Sequence, residues 1–202
     1  MTSFQNRKYF IDKLFKRCYL MDIDINEFAD EAIFDKAFEI FQTDYERYFE
    51  NEEITETKLF SRLELIGILL YRLAREYFLE GNENFANHLS NLGRMISGFE
   101  IYYSANIGKG LKINHGLGTV IGARSFIGEN ALIHQGVTFG DRNGGRPVLL
   151  DNVTVFAGAK ILGGIVCGNN SIIAANCVCL IDVPENSVIA GVPGKIKKQN
   201  VT

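Results

Sequence analysis

The chain is poor in proline, with three among its 202 residues, and none of them occurs before Pro147. Long apolar runs are also missing. The longest one without a charge, Leu65–Tyr71, is far shorter than the roughly 20 residues that cross a bilayer. The first ten residues, MTSFQNRKYF, contain no apolar core of a secretory signal. We therefore expect a cytoplasmic protein with no membrane span.

Cysteine is scarce as well, and the net charge is only −3. None of the four cysteines forms a CxxC pair or flanks a histidine at zinc-ligand spacing, so we expect no metal site. In a reducing compartment we expect buried thiols, with a nucleophilic cysteine as the lesser alternative. The charge balance argues against a dedicated nucleic-acid binder, which usually has a basic surface. The cysteines are Cys18, Cys167, Cys177 and Cys179.

The composition changes near residue 100. Only four of the 20 glycines lie in residues 1–100, whereas 20 of the 23 phenylalanines and tyrosines lie before residue 104. We therefore predict an α-helical domain over 1–100 and a second domain over 101–202. Apolar residues at helical spacing predict that the first is an antiparallel bundle, whose simplest role is packing and oligomerisation. Helices are predicted near 4–20, 25–48, 57–80 and 83–97, the third capped by a left-handed Gly81.

A six-residue repeat dominates the second half. This period fits neither an α-helix nor a hairpin sheet, but it fits a short strand and a tight corner stacked into a solenoid. Each anchor residue is expected to point inward and to stack on the anchor one full coil away. The anchors are Ile107, Ile113, Ile121, Ile127, Ile133, Phe139, Leu149, Val155, Ile161, Cys167, Ile173 and Cys179.

The repeat is broken at two places. The step from Ile113 to Ile121 is eight residues, so residues 114–118 must bulge. A later step of ten residues leaves 141–146 as an exposed loop. Binding groups tend to project from the irregular segments of a regular scaffold, so both breaks are candidate sites.

Three segments resemble serine acetyltransferases, which belong to the hexapeptide-repeat acyltransferases. They are IGKGLKINHGLGTVIGARSFIGENALIHQGVTFG, AGAKILGG and VPENSVIAGVPGKI, and the resemblance covers roughly residues 65–198. It implies an α+β fold, an N-terminal helical bundle followed by a left-handed parallel β-helix. The handedness comes from the resemblance alone, because the period does not decide it. The resemblance also implies acetyl-CoA as co-substrate, and a homotrimer or a dimer of trimers with sites between neighbouring prisms.

The same resemblance implies roles for individual residues. His115 takes the place of the general base, and an imidazole with a pKa of about 6.5 suits that task. Glu100 takes the place of the aspartate that orients the base, with a solvated linker glutamate as the alternative. Asn114 stands where the family has an aspartate that holds the serine amino group. Arg146 remains of the family's Arg-His pair and could serve the acceptor or CoA, while His134 either contacts the acceptor or is structural.

A second group of residues is implied for acetyl-CoA. A backbone amide around Gly140 and Asp141 would stabilise the tetrahedral intermediate. Ala157 and Ala175 match positions whose amides bind the pantetheine arm, and their small side chains leave room for it. Lys195, at the basic end of the repeat, either suits the CoA phosphates or belongs to a solvated tail.

These matches predict an acetyl-CoA-dependent O-acetyltransferase. Because Asn114 replaces a carboxylate suited to an ammonium group, we expect a hydroxyl-bearing small molecule or glycan as acceptor, in particular a sugar or surface-polysaccharide residue. Serine O-acetylation for cysteine synthesis is the alternative. A non-enzymatic β-helix scaffold is a third hypothesis, which His115 and its glycine-rich bulge oppose.

Overall fold

The computed structural model describes residues 1–19 and 22–198, in which five α-helices come first. A short 3₁₀ helix, Ile25–Glu27, lies between the first two. Within the described residues, no helix is both long and apolar enough to span a membrane. The α-helices are α1 Phe4–Cys18, α2 Glu31–Glu46, α3 Glu56–Ser61, α4 Leu63–Leu79 and α5 Glu83–Ser97.

The predicted helices are confirmed, but two of them are divided. The one expected over 25–48 starts late, because the Asp30 side chain caps α2 by accepting from the amides of Ala32 and Ile33. The one expected over 57–80 breaks at Arg62, whose φ of −141° and ψ of 87° are not helical. Gly81 adopts the predicted left-handed conformation after α4, with φ 84°. The final residue of the range predicted as 4–20 lies outside the described residues.

Short strands follow the helices and form three sheets. Sheet A has the order β1-β4-β7-β10-β13, sheet B has β11-β8-β5-β2, and sheet C has β15-β14-β12-β9-β6-β3. Pairing is parallel except between β14 and β15. The strands are β1 Glu100–Ile101, β2 Asn106–Ile107, β3 Lys112–Asn114, β4 Val120–Ile121, β5 Phe126–Ile127, β6 Leu132–His134, β7 Thr138–Gly140, β8 Val148–Leu149, β9 Thr154–Val155, β10 Lys160–Leu162, β11 Val166–Cys167, β12 Ile172–Ile173, β13 Val178–Cys179, β14 Val188–Ala190 and β15 Lys195–Lys198.

The three sheets are the faces of a solenoid. One strand from each sheet makes one coil, so that β1, β2 and β3 form the first coil and β4, β5 and β6 the second. The inward residues are the predicted anchors, and in sheet C they stack as Ile113, Ile133, Val155 and Ile173. The expected α+β fold, helices followed by a hexapeptide-repeat β-helix, is confirmed. The division into domains 1–100 and 101–202 stays a prediction, and its boundary falls inside β1.

The helices close the base of the solenoid. The first coil has backbone groups with no coil beneath to pair with them, and buried unpaired backbone groups are costly. Side chains from α2 and α4 satisfy several of these groups. Arg72 donates to the carbonyls of Ile107 and Gly108, at 2.6 and 2.7 Å. Its guanidinium also donates twice to the Asp44 carboxylate, which accepts from the Leu111 amide at 2.7 Å.

The cysteines depart from expectation at one position. Cys167, Cys177 and Cys179 are buried in the upper coils, as predicted, but Cys18 is exposed. The prediction of a buried thiol is therefore wrong for Cys18, which is the last residue of α1. Across the described ranges, no three histidine, cysteine or acidic side chains are grouped as a metal site requires.

Candidate active site

The predicted bulge lies at the corner where the first coil passes from sheet C to sheet A. In the next coil the Gly136 amide donates to the Leu117 carbonyl at 2.9 Å, while Asn114 pairs with His134 in the sheet. His115 and Gly116 are therefore a two-residue insertion relative to the coil above. Both residues are left-handed, with φ 65° and 67°. This explains the eight-residue step in the repeat.

His115 is exposed at this insertion. A left-handed conformation costs a residue with a Cβ roughly 1–2 kcal/mol, and such strained positions cluster at functional sites. Within the described residues, the His115 side chain makes no hydrogen bond. The backbone of the insertion therefore fixes the Cα–Cβ bond of His115, and the ring is open to an incoming hydroxyl.

Glu100 lies close to the same corner but is engaged elsewhere. Its backbone amide donates to the Thr119 carbonyl at 2.9 Å, so the residue sits beside the end of the bulge. Its carboxylate accepts from the Arg94 guanidinium at 3.1 Å. A role in orienting His115 stays a prediction, since the structure contains no hydrogen bond between the two side chains.

His134 lies one coil above the bulge, at the end of β6. Its ring stacks on Phe156, with centroids 5.0 Å apart and planes 23° apart. Burial lowers the pKa of His134, and the nearby His115 lowers it further because two imidazolium charges would repel. A neutral imidazole here could donate or accept one hydrogen bond with an acceptor molecule.

Phe156 was missed by the sequence analysis. The register continues from Asn114 through His134 to Phe156, so the three outward side chains form one row along sheet C. A signal for it exists in the repeat. Phe156 directly follows the anchor Val155. The residue at the same position is His134 in the coil below and Ala174 in the coil above. Its ring is 39% exposed and forms an apolar wall beside the two histidines.

The residues predicted to bind pantetheine lie at the same corner, in higher coils. The Asn176 amide donates to the Ala157 carbonyl at 2.9 Å, and the Gly158 amide to the Gln135 carbonyl at 2.9 Å. Ala157 and Ala175 therefore continue the corner above Leu117 and Gln135. Among the described residues, neither alanine N–H donates to a protein acceptor, so both remain open to a ligand carbonyl.

Lys195 lies at the upper end of this arrangement. It is exposed on β15 and pairs with Ala190, which is in register with Ala174 below it. A row along sheet C thus runs from Asn114, which adjoins His115, to Lys195 at the top. This placement is compatible with the predicted contact between Lys195 and the CoA phosphates.

The remaining predicted residues lie at the other end of sheet A. Gly140 ends β7, whereas His115 precedes the first residue of β4, so the two sit at opposite ends of the strands. Asp141 and Arg146 form an ion pair, and Arg146 also donates to the Ala123 carbonyl at 3.0 Å. A single chain therefore does not bring residues 140–146 to His115. The roles of all these site residues stay predictions.

Known proteins resemble about half of this chain in sequence and most of it in structure. A serine acetyltransferase from Synechococcus elongatus is 46% identical over 112 residues, 54% of this chain and 46% of that protein. A serine acetyltransferase structure in complex with CoA has 32% identity and a TM-score of 0.73, covering 86% of this chain and 74% of that one. The Neisseria gonorrhoeae enzyme in complex with serine has 27% identity and a TM-score of 0.79, covering 95% and 83%.

No protein-family model matches the chain. The chain spans about half the length of the curated relatives it matches, 46% and 56% for two of them. The match to the CoA-bound structure, by contrast, extends over helices and solenoid together. On that identity and coverage, the chain belongs to the serine acetyltransferase family.

Proposed function

We propose that the chain is an acetyl-CoA-dependent O-acetyltransferase whose acceptor is the hydroxyl of L-serine. The placement of His115 carries this proposal. Its exposed imidazole stands on a strained insertion at the base of a corner where Ala157 and Ala175 keep open amides. Two structural relatives were solved with CoA and with serine, which supports both substrates.

In the proposed reaction, His115 accepts the proton of the serine hydroxyl while the serine oxygen attacks the thioester carbonyl carbon. Negative charge develops on the carbonyl oxygen, and a backbone N–H donates to it. The Asp141 N–H suits this task because it has no acceptor among the described residues. The C–S bond then breaks, acetyl stays on the serine oxygen, and the CoA sulfur takes the proton back from the imidazolium.

A second copy of the chain would complete this site. His115 and Asp141 lie at opposite ends of sheet A, so one protomer supplies only half of the arrangement. Phe126 and Val166 point outward from sheet B and are each 40% exposed, an apolar strip that association would bury. We expect three or six copies of the 22.6 kDa chain by light scattering, and a monomer that is fully active would contradict this arrangement.

The acceptor is the finer part of the proposal. The sugar acceptor expected from Asn114 has no support among the relatives reported above, which are named serine acetyltransferases. One observation keeps a neutral alcohol as the second candidate. The two carboxylates that the proposed site would draw from two copies of the chain are both paired with arginines, Glu100 with Arg94 and Asp141 with Arg146. A serine ammonium group would have to compete for them.

The test measures CoA thiol release from acetyl-CoA with L-serine and, separately, with a panel of sugars. We expect turnover with L-serine and a loss of about 10²- to 10⁴-fold in His115→Gln, the range for removing a general base. Turnover with sugars but not serine would shift the proposal to the second candidate. Equal activity of wild type and His115→Gln would overturn both.

Asn114 can be tested in the same assay. Asn114→Asp places a carboxylate beside His134 and should lower the KM for L-serine, because an ammonium group gains a partner. The matched control is Asn106→Asp, which adds the same charge on the exposed outer side of sheet B. An equal effect of both variants would mean that only net charge matters.

A further inference from the structure

The connection between α5 and β1, residues 97–100, lies directly beneath the His115 insertion. Gly98 ends α5 in a left-handed conformation, with φ 72°. Its carbonyl accepts from the Gly118 amide at 2.9 Å, and the Glu100 amide donates to the Thr119 carbonyl at 2.9 Å. The backbone that leaves the insertion is therefore held by two hydrogen bonds to this connection.

The insertion also packs against the side chain between those two bonds. Phe99 is 3% exposed. A Cβ placed on Gly116 would lie 2.6 Å from a ring carbon of Phe99, which is closer than atoms can approach. In the same way, a Cβ on Gly98 would lie 2.6 Å from a methyl carbon of Leu117. Both residues that follow His115 thus rest on residues 98 and 99.

Phe99 is in turn held by the helices. A Cβ placed on Gly67 of α4 would lie 2.5 Å from the tip of the Phe99 ring and 2.7 Å from Ser97. The Ser97 hydroxyl is buried and donates to the Gly93 carbonyl of α5 at 2.7 Å. A line of direct contacts therefore runs from α4, through Phe99, to the residue next to His115.

We infer that Phe99 is a positioning residue for His115, through which the helical bundle sets where the backbone of the insertion places the imidazole. The inference rests on the proposed function. His115 has no side-chain hydrogen bond within the described residues, so the place from which its ring extends depends on the backbone of the insertion. Phe99 is the large side chain that packs under that backbone, and Gly67 and Gly116 are the two glycines that give it room.

The kinetic test is a double-mutant cycle between Phe99→Leu and His115→Gln. We expect Phe99→Leu to lower kcat about 10- to 100-fold, the loss typical of a base displaced by about 1 Å. The KM for acetyl-CoA should stay unchanged, because Ala157 and Ala175 lie in higher coils. On the His115→Gln background, Phe99→Leu should have no further effect on kcat. If Phe99→Leu lowered kcat by the same factor with His115 present or replaced, the inference would be overturned.

A matched control separates positioning from general destabilisation. Phe15→Leu makes the same change at a side chain of α1 that is 1% exposed and packs on Phe85. It should lower the melting temperature as Phe99→Leu does but leave kcat unchanged. Gly67→Ala displaces the Phe99 ring without removing it and keeps the test open if Phe99→Leu does not fold. Equal loss of kcat in Phe15→Leu and Phe99→Leu would contradict the inference.

A spectroscopic measurement tests the same point without relying on activity. The chain has three histidines, so the imidazole resonances can be assigned with single substitutions. In Phe99→Leu we expect the His115 resonance to shift or broaden while that of His88, which bonds Tyr19 in the bundle, stays in place. An unmoved His115 resonance refutes the inference. A wild-type chain without transferase activity refutes the proposed function instead.

Discussion

Arg72→Met should destabilise the protein strongly, because it breaks a buried ion pair at the junction between helices and solenoid. The Arg72 and Asp44 side chains are 3% and 0% exposed, and two hydrogen bonds of 2.8 and 3.0 Å join them. Removing one partner of a buried pair costs about 3–5 kcal/mol, since the other charge is left uncompensated. The variant also leaves the carbonyls of Ile107 and Gly108 without their donor.

We therefore expect the free energy of unfolding to fall by about 4 kcal/mol, and the melting temperature by about 8–16 °C at the 2–4 °C per kcal/mol typical of this chain length. Urea unfolding followed by circular dichroism measures the first quantity and differential scanning calorimetry the second. Both measurements use the same protein concentration for every variant, because association of the chains would add a concentration-dependent contribution to stability.

Lys36→Met is the control for Arg72→Met. Lys36 also pairs across helices, with Glu80 at 3.0 Å, but both side chains are more than half exposed. Its loss should cost far less stability than the loss of Arg72, because water screens an exposed ion pair. Replacing Arg72 and Asp44 together by Met and Leu should recover part of the loss, because no unpaired charge remains. If Arg72→Met were as stable as Lys36→Met, the argument from burial would be refuted.

Three further predictions concern the site and the helices. Phe156→Ala should raise the pKa of His134 towards its ordinary value, measured by NMR titration, because the stacked ring shields that imidazole from water. Because the pKa of His134 is lowered in the folded protein, protonation of this imidazole favours the unfolded chain. The free energy of unfolding should therefore fall as the pH drops below about 6.5. His134→Gln should show a smaller fall over the same pH range. Native alkylation with iodoacetamide, read by mass spectrometry, should modify Cys18 first, because the other three thiols are buried.

Controls for these predictions come from the same chain. The pKa of His88 should be unaffected by Phe156→Ala, since His88 lies in the bundle against Tyr19. A drop in the pKa of His134 in that variant would contradict the role assigned to the ring. For the thiols, urea should make Cys167, Cys177 and Cys179 reactive as well. If these three thiols were modified as fast as Cys18 in the native protein, the upper coils would have to open, and the prediction would be contradicted.

The solenoid could be predicted because its rule is local. Each anchor, such as Ile113 or Ile133, recurs after one strand and one corner, and that spacing is a property of a short stretch of chain. The eight-residue step therefore located the insertion that carries His115. The helix boundaries were less predictable, because the break at Arg62 leaves no proline or glycine as a sign in the sequence.

Side-chain pairings required the tertiary structure. Glu100 was expected to orient His115, which stays a prediction, and the fold places the Arg94 guanidinium 3.1 Å from its carboxylate. Arg146 was expected to face a ligand, and it pairs with Asp141. Phe99 carries no sequence signal at all, since its contacts with Gly67 and Gly116 join segments that are 32 and 17 residues away along the chain.

Periodicity and the resemblance to serine acetyltransferases were therefore enough to predict the helices and the coils and to locate the insertion that carries His115, because these depend on neighbouring residues or on matched motifs. Only the folded chain shows which charges pair, which aromatic rings cover the histidines, and that residues 140–146 lie at the far end of sheet A from His115. The physical reason is that burial and close approach decide those pairings, and both depend on how the whole chain packs and not on the local spacing of residues.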